Sequence, residues 1–202
     1  MNRDKRHPGD DSGFSRRSFL KGSGAAAAAT AVASSAAEAV AQEDQPKAVT
    51  KALIKLNVNG KDHEVTVEGR TTLLEVLRYQ LDLTGAKPVS MDGSSGASTV
   101  LVDGKPVMAS TTLAMMVRNK KIQTVESLGG DKPDEICTAF VTHDAEQCGF
   151  CTPGFVLAVR AFLDKNPKAS EEEIRAGLNG NICRCGTYAN VIDAAISISK
   201  GG

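Results

Sequence analysis

Residues 147–154 read Gln-Cys-Gly-Phe-Cys-Thr-Pro-Gly, and the pattern they open is completed at residues 180–188 by Gly-Asn-Ile-Cys-Arg-Cys-Gly-Thr-Tyr. Cys148 and Cys151 form a C-x-x-C pair, Cys183 and Cys185 a C-x-C pair. A C-x-C pair is too tight for an easy disulfide but presents two thiolates to one metal centre. Four thiolates are the soft donors that iron–sulfide units prefer. Glycines beside the ligands leave room for backbone N–H groups to approach sulfur, and Arg184 offsets the thiolate charge. A four-cysteine zinc site is the alternative, although its usual spacing is C-x2–4-C at both ends. Cys137 is left over from the 5 cysteines of the chain and is expected to be a small buried hydrophobe.

Helical signals flank both pairs. Pro133 opens a helix running towards Ala145, with Ile136, Phe140 and Val141 on its apolar side. Pro153 opens a second, from Gly154 to Leu163. Ser170 and Glu173 form a capping box for a third helix through Leu178. Val191 to Ile198 forms the fourth. This order places each cysteine pair between two helices, at one end of a four-helix arrangement. The acidic run Glu171-Glu172-Glu173 suits the first turn of a helix. His63 and His143 are surface residues rather than ligands.

Upstream the pattern changes. Residues 52–68 alternate apolar and polar around Asn59-Gly60, a strong hairpin signal. Thr72 and Glu75 form a capping box for a helix through Tyr79 and Leu81, with Leu73, Leu74, Val76, Leu77 and Leu81 apolar. Ser98 to Val102 reads as a strand turned at Asp103-Gly104. Pro106 to Ala109 returns as an edge strand, where proline is tolerated. Ile122 to Val125 is a last short strand. Hairpin, helix, loop, hairpin and strand make a β-grasp domain like a ferredoxin, so the predicted class is α+β.

A plant-type [2Fe-2S] loop spaces its cysteines C-x4-C-x2-C, with a fourth further on. Here Ser90, Ser95 and Ser98 hold that spacing, and Ser110 follows at a fourth place. Hydroxyl oxygen is a hard, weakly acidic donor, so this quartet is not expected to hold a cluster.

The two cysteine motifs together resemble the helical [2Fe-2S] domain of the molybdenum hydroxylases, the xanthine oxidase family. The Gly-Thr-Tyr ending is similar to the small subunit of its two-subunit isoquinoline and aldehyde oxidoreductases. The resemblance covers nearly all of residues 51–199 and implies an electron-transfer subunit. One [2Fe-2S] cluster would sit on Cys148, Cys151, Cys183 and Cys185. Cys185 and Gln147 would contact the pterin of a molybdenum cofactor held by a large partner subunit. Substrates would be aldehydes or nitrogen heterocycles, bound in that partner. In the family's loop, glycine and aspartate stand where this chain has Val89 and Met91. That wider change favours natural divergence of the serine loop. With the outer cluster absent, electrons would leave from the remaining one, to an acceptor such as a periplasmic cytochrome. The alternative is a structural subunit that stabilises the molybdenum subunit without conducting.

Ser15-Arg16-Arg17-Ser18-Phe19-Leu20-Lys21 matches the twin-arginine pattern. An alanine-rich stretch and Ala39-Val40-Ala41 then supply a cleavage site. The expected organisation is a signal peptide over 1–41 and a linker over 42–50. A ferredoxin-like domain lacking cluster ligands follows over 51–128, then a helical [2Fe-2S] domain over 129–202. The destination is the periplasm, with no membrane span after cleavage. The 202 residues carry 24 Lys+Arg against 24 Asp+Glu and no Trp. That balance gives no footprint for a nucleic-acid partner.

Overall fold

The Asn59-Gly60 turn folds as a hairpin, with both residues left-handed at φ 51 and 78, as a two-residue type I′ turn requires. It joins β1 (Ala52–Val58) to β2 (Lys61–Val67) in an antiparallel register pairing Val58 with Lys61 and Ala52 with Val67. The structure, a computed structural model, describes Arg17 and residues 51–199. Arg17 apart, the export signal, cleavage site and linker lie outside the described residues.

The Thr72–Glu75 capping box forms in both directions. It starts α1 (Leu73–Glu75), which widens at once into a π-helical stretch, Val76–Gln80. The Leu81 N–H there donates to Val76 O at 3.1 Å, the i→i+5 bond of that geometry. Leu73, Leu74, Val76 and Leu77 are buried as expected, while Tyr79 points to solvent. Leu81 is only partly buried.

Next come β3 (Thr99–Val102), β4 (Lys105–Met108) and β5 (Lys121–Gln123). The sheet order is β2-β1-β5-β3-β4, with β5 parallel to β1 and antiparallel to β3. β4, carrying Pro106, is an edge strand as the sequence indicated. β5 begins and ends earlier than the expected Ile122–Val125. Thr124 leaves the strand to exchange two 2.9 Å hydrogen bonds with the Asn59 side chain, and a 3-10 turn follows at Val125–Leu128.

The second half holds α2 (Glu135–Thr142), α3 (Thr152–Lys165), α4 (Glu171–Gly177) and α5 (Tyr188–Ile198). Pro133 stands outside α2. Asp134 is the N-cap, accepting from the Ile136 N–H at 3.0 Å. Ile136 and Phe140 are buried, but Val141 is exposed. The two buried residues are four apart and share a face, whereas Val141 is turned about 100° past Phe140. The Ser170–Glu173 capping box forms as read.

Two hydrophobic cores lie within one compact unit among described residues 51–199. One packs α1 under the sheet through Leu56, Leu73, Leu77, Val100 and Ile122. The other joins the helices through Ile136, Phe155, Leu157, Ile174 and Val191. β3 serves both. All four of its residues are buried, Val100 and Val102 in the first core and Leu101 in the second. Alternation along a strand covered on both faces produces this split.

Candidate metal centre

Cys148 and Cys151 lie on the turn that enters α3, and Cys183 and Cys185 on the loop that enters α5. Gly149 and Gly186 set these turns with φ 79 and 88. A Cβ at either glycine would meet no protein atom within 4 Å. Left-handed backbone calls for glycine there, and the Gly186 N–H reaches the Cys183 sulfur. All five cysteines are free thiols.

The four thiols act on one another in two pairs, Cys148 with Cys185 and Cys151 with Cys183. Burial works against ionisation of Cys183. The Thr187 hydroxyl at 3.2 Å, the N–H groups of Thr187 and Gly186, and the Cys151 thiol outweigh it and bring Cys183 down to about 7. Cys151 is pushed up to about 12 by burial, by donating to Cys183, and by the charge of its neighbours. The Phe150 N–H and then the Cys185 thiol lower Cys148, while donation to Cys148 raises Cys185. In each pair one thiol is lowered and its partner raised, so one sulfur is biased towards the thiolate, and metal loading displaces the remaining protons.

This donor set fits an iron–sulfur unit. Its four sulfurs are soft, and backbone N–H groups already point at them. Thr152 Oγ1, next in chain to Cys151, is buried without a hydrogen-bond partner among the described residues, a spare donor at the site's edge. Among those residues no group of three or more His, Cys, Asp or Glu closes round a single ion. The pairing of the thiols suits a cluster in which each of two irons takes two cysteines.

Cys183 is buried and Cys151 half-buried, while Cys148 and Cys185 are exposed. Gln147, Phe150, Ile182 and Arg184 are exposed around them. The Tyr188 hydroxyl accepts from the Cys183 N–H at 2.7 Å, and its ring meets Phe155 edge-on at 5.9 Å. In the sequence Thr187 and Tyr188 stand out only as part of a motif. A hydroxyl residue just after the C-x-C pair, opening a helix, was the signal for their supporting role. Cys137 is half-buried against the helical core, with burial first raising its thiol. His63 and His143 have no part in the thiol site.

The serine quartet is also paired. Ser90 and Ser95 hydroxyls meet at 2.7 Å, and Ser98 and Ser110 at 2.9 Å. The N–H groups of Ser95 and Ser110 donate to Ser90 and Ser98 oxygens at 3.0 and 3.3 Å. These oxygens satisfy one another and the local backbone, and they do not fit a cluster that wants thiolate.

The fold and the thiol site define an iron–sulfur-binding protein of α+β class. A model described as the [2Fe-2S] binding domain matches residues 124–196, and one for the twin-arginine translocation pathway signal sequence matches residues 13–33. The chain is 38% identical to the aldehyde oxidoreductase iron-sulfur-binding subunit PaoA of Escherichia coli O157:H7, over 99% of this chain and 94% of that one. It is 38% identical to the nicotine 6-hydroxylase small subunit of Paenarthrobacter nicotinovorans, over 75% of this chain and 92% of that one. The crystal structure of quinoline 2-oxidoreductase from Pseudomonas putida 86 superposes with a TM-score of 0.70 at 39% identity, covering 72% of this chain and 91% of the matched one. The chain belongs to the iron–sulfur subunits of the molybdenum hydroxylase (xanthine oxidase) family. Its twin-arginine signal sends it to the periplasm. Among the described residues no helix is long and apolar enough to cross a membrane.

Proposed function

We propose that this chain is the electron-transfer subunit of a periplasmic molybdenum-cofactor oxidoreductase and carries one [2Fe-2S] cluster, on Cys148, Cys151, Cys183 and Cys185. The observation that carries this reading is the contrast between two quartets. The thiols lie in two pairs with backbone N–H donors directed at Cys148 and Cys183, while the serine hydroxyls are closed on one another. When bound, the cluster supplies a one-electron relay between the partner's cofactor and an external acceptor.

The chain's own residues hold and tune that relay. Thr187 and Gly186 direct hydrogen bonds at the Cys183 sulfur, and Phe150 directs one at Cys148. Such bonds stabilise negative charge on sulfur and raise a cluster's potential. Exposed Phe150 and Ile182 flank the exposed Cys148 and Cys185, forming the face that a large molybdenum-cofactor subunit would cover. On that face Gln147 offers an amide that both donates and accepts, suited to a pterin edge beside Cys185. The matched region is only 17% of the aldehyde oxidoreductase chain of Desulfovibrio desulfuricans. A like portion there is continuous with a far larger remainder, which supports a large partner here.

In this reading residues 1–41 are removed after export and 42–50 form a linker. Residues 51–128 are a ferredoxin-like β-grasp domain without cluster ligands, and 129–202 a helical bundle holding the cluster. The partner would oxidise an aldehyde or a nitrogen heterocycle, and a cytochrome would accept electrons near the helical domain. Iron and acid-labile sulfide in the intact complex test the reading. It expects content equal to a single cluster on this chain. Content equal to a pair of clusters restores an iron-bearing first domain, and zinc without iron overturns the relay.

A further inference from the structure

The serine loop is bound to the backbone that carries Cys183. The Ile182 N–H donates to Ser95 O at 2.9 Å. The Asn181 amide donates to Gly96 O at 3.0 Å and to Thr99 Oγ1 at 3.4 Å, and Thr99 Oγ1 donates to the same Gly96 carbonyl at 2.6 Å. Asn181 is buried, 7% exposed. The approach is as close as backbone allows. A Cβ on Gly96 would collide with Gly180 O and the Asn181 amide, and one on Gly154 would collide with Gly96 O. Gly96 also has φ 69, which a side chain would strain. Gly154 lies in the first turn of α3, just after Cys151. The Ser95-Gly96 segment thus touches the segments that carry Cys183 and Cys151, one cysteine from each sequence motif.

What fixes that peptide is the first hydroxyl pair. Ser90 Oγ accepts from the Ser95 N–H at 3.0 Å and meets Ser95 Oγ at 2.7 Å, and Ser95 Oγ accepts from the Ala97 N–H at 3.3 Å. We propose that Ser90 and Ser95 are positioning residues for the thiol site: their paired hydroxyls hold the Ser95–Gly96 peptide as a brace against Asn181 and Ile182, and so hold Cys183. The loop does by hydrogen bonding what metal ligation would otherwise do, which is to make its backbone rigid. As a role in cluster retention this rests on the proposed [2Fe-2S] site, but the brace itself does not need iron.

The experiment compares wild type, Ser90→Ala and Ser90→Thr in the intact complex. It reads hydrogen exchange at the Ile182 amide and the rate of iron release to a chelator. Ser90→Ala is expected to speed both by about fivefold, the weight of one net hydrogen bond. Ser90→Thr, which keeps the hydroxyl, is expected to restore both. Unchanged Ile182 exchange in a folded Ser90→Ala complex overturns the brace. Should Ser90→Ala not fold, Ser95→Ala, which removes the other hydroxyl of the pair, decides: faster exchange at Ile182 supports the brace and unchanged exchange overturns it. A wild-type complex without iron would sink the proposed cluster while the Ile182 amide still decides the brace.

Discussion

The hydroxyl oxygens of Ser98 and Ser110 lie 2.9 Å apart in a site where the two residues are 2% and 3% exposed. A pair so buried is stable because each partner satisfies the other. Removing one leaves an orphan. Ser98→Ala is expected to cost about 1–3 kcal/mol, while the double change to alanine costs less than the sum of the singles. Urea unfolding of wild type, Ser98→Ala, Ser110→Ala and the double variant measures it.

Leu101 should be unusually sensitive for a strand residue. It is the β3 side chain that enters the helical core while its neighbours Val100 and Val102 enter the other. Leu101→Ala is expected to destabilise by about 2–5 kcal/mol. Thermal unfolding of the whole chain reports this, together with earlier opening of α3 amides in hydrogen exchange.

In the iron-free protein the Cys183 thiol, lowered to about 7, should react with a thiol reagent along a titration centred near that pH. Thr187→Val removes the hydroxyl that accounts for part of the lowering and should move the midpoint upward. The sign for stability follows. Cys183 ionises more easily folded than unfolded, so its contribution is fully present above the ordinary thiol value and is lost as pH falls through about 7. A midpoint unmoved by Thr187→Val would contradict this account of the site.

Cys137 and the motif cysteines should separate cleanly. Cys137→Ala is expected to leave iron and sulfide unchanged and cost roughly 1 kcal/mol for a small half-buried side chain. Cys183→Ala should abolish cluster content, since a soft ligand is lost with no neighbour to replace it.

Local signals carried much of this fold. Asn59-Gly60 dictated its turn because few residues tolerate two successive left-handed conformations, and both capping boxes are reciprocal bonds within four residues. The π-helical widening at Val76–Gln80 left no such mark, because the pattern of apolar residues is nearly the same for either helix. Val141 reads as part of the α2 stripe because it is an apolar residue beside Phe140, and only the helix phase shows it to be exposed. At the site, the spacing of the thiols marks them as one group in the sequence. The contact between Gly96 and Asn181 was not, since it joins residues 85 apart through a backbone carbonyl that no side-chain pattern encodes.

Low-temperature electron paramagnetic resonance of the reduced intact complex tests the central claim most directly. A lone iron–sulfur species, lost in Cys183→Ala and kept in Ser98→Ala, is what the paired thiols and paired hydroxyls predict. A second iron–sulfur signal that vanishes when Ser90 or Ser95 is replaced would contradict it.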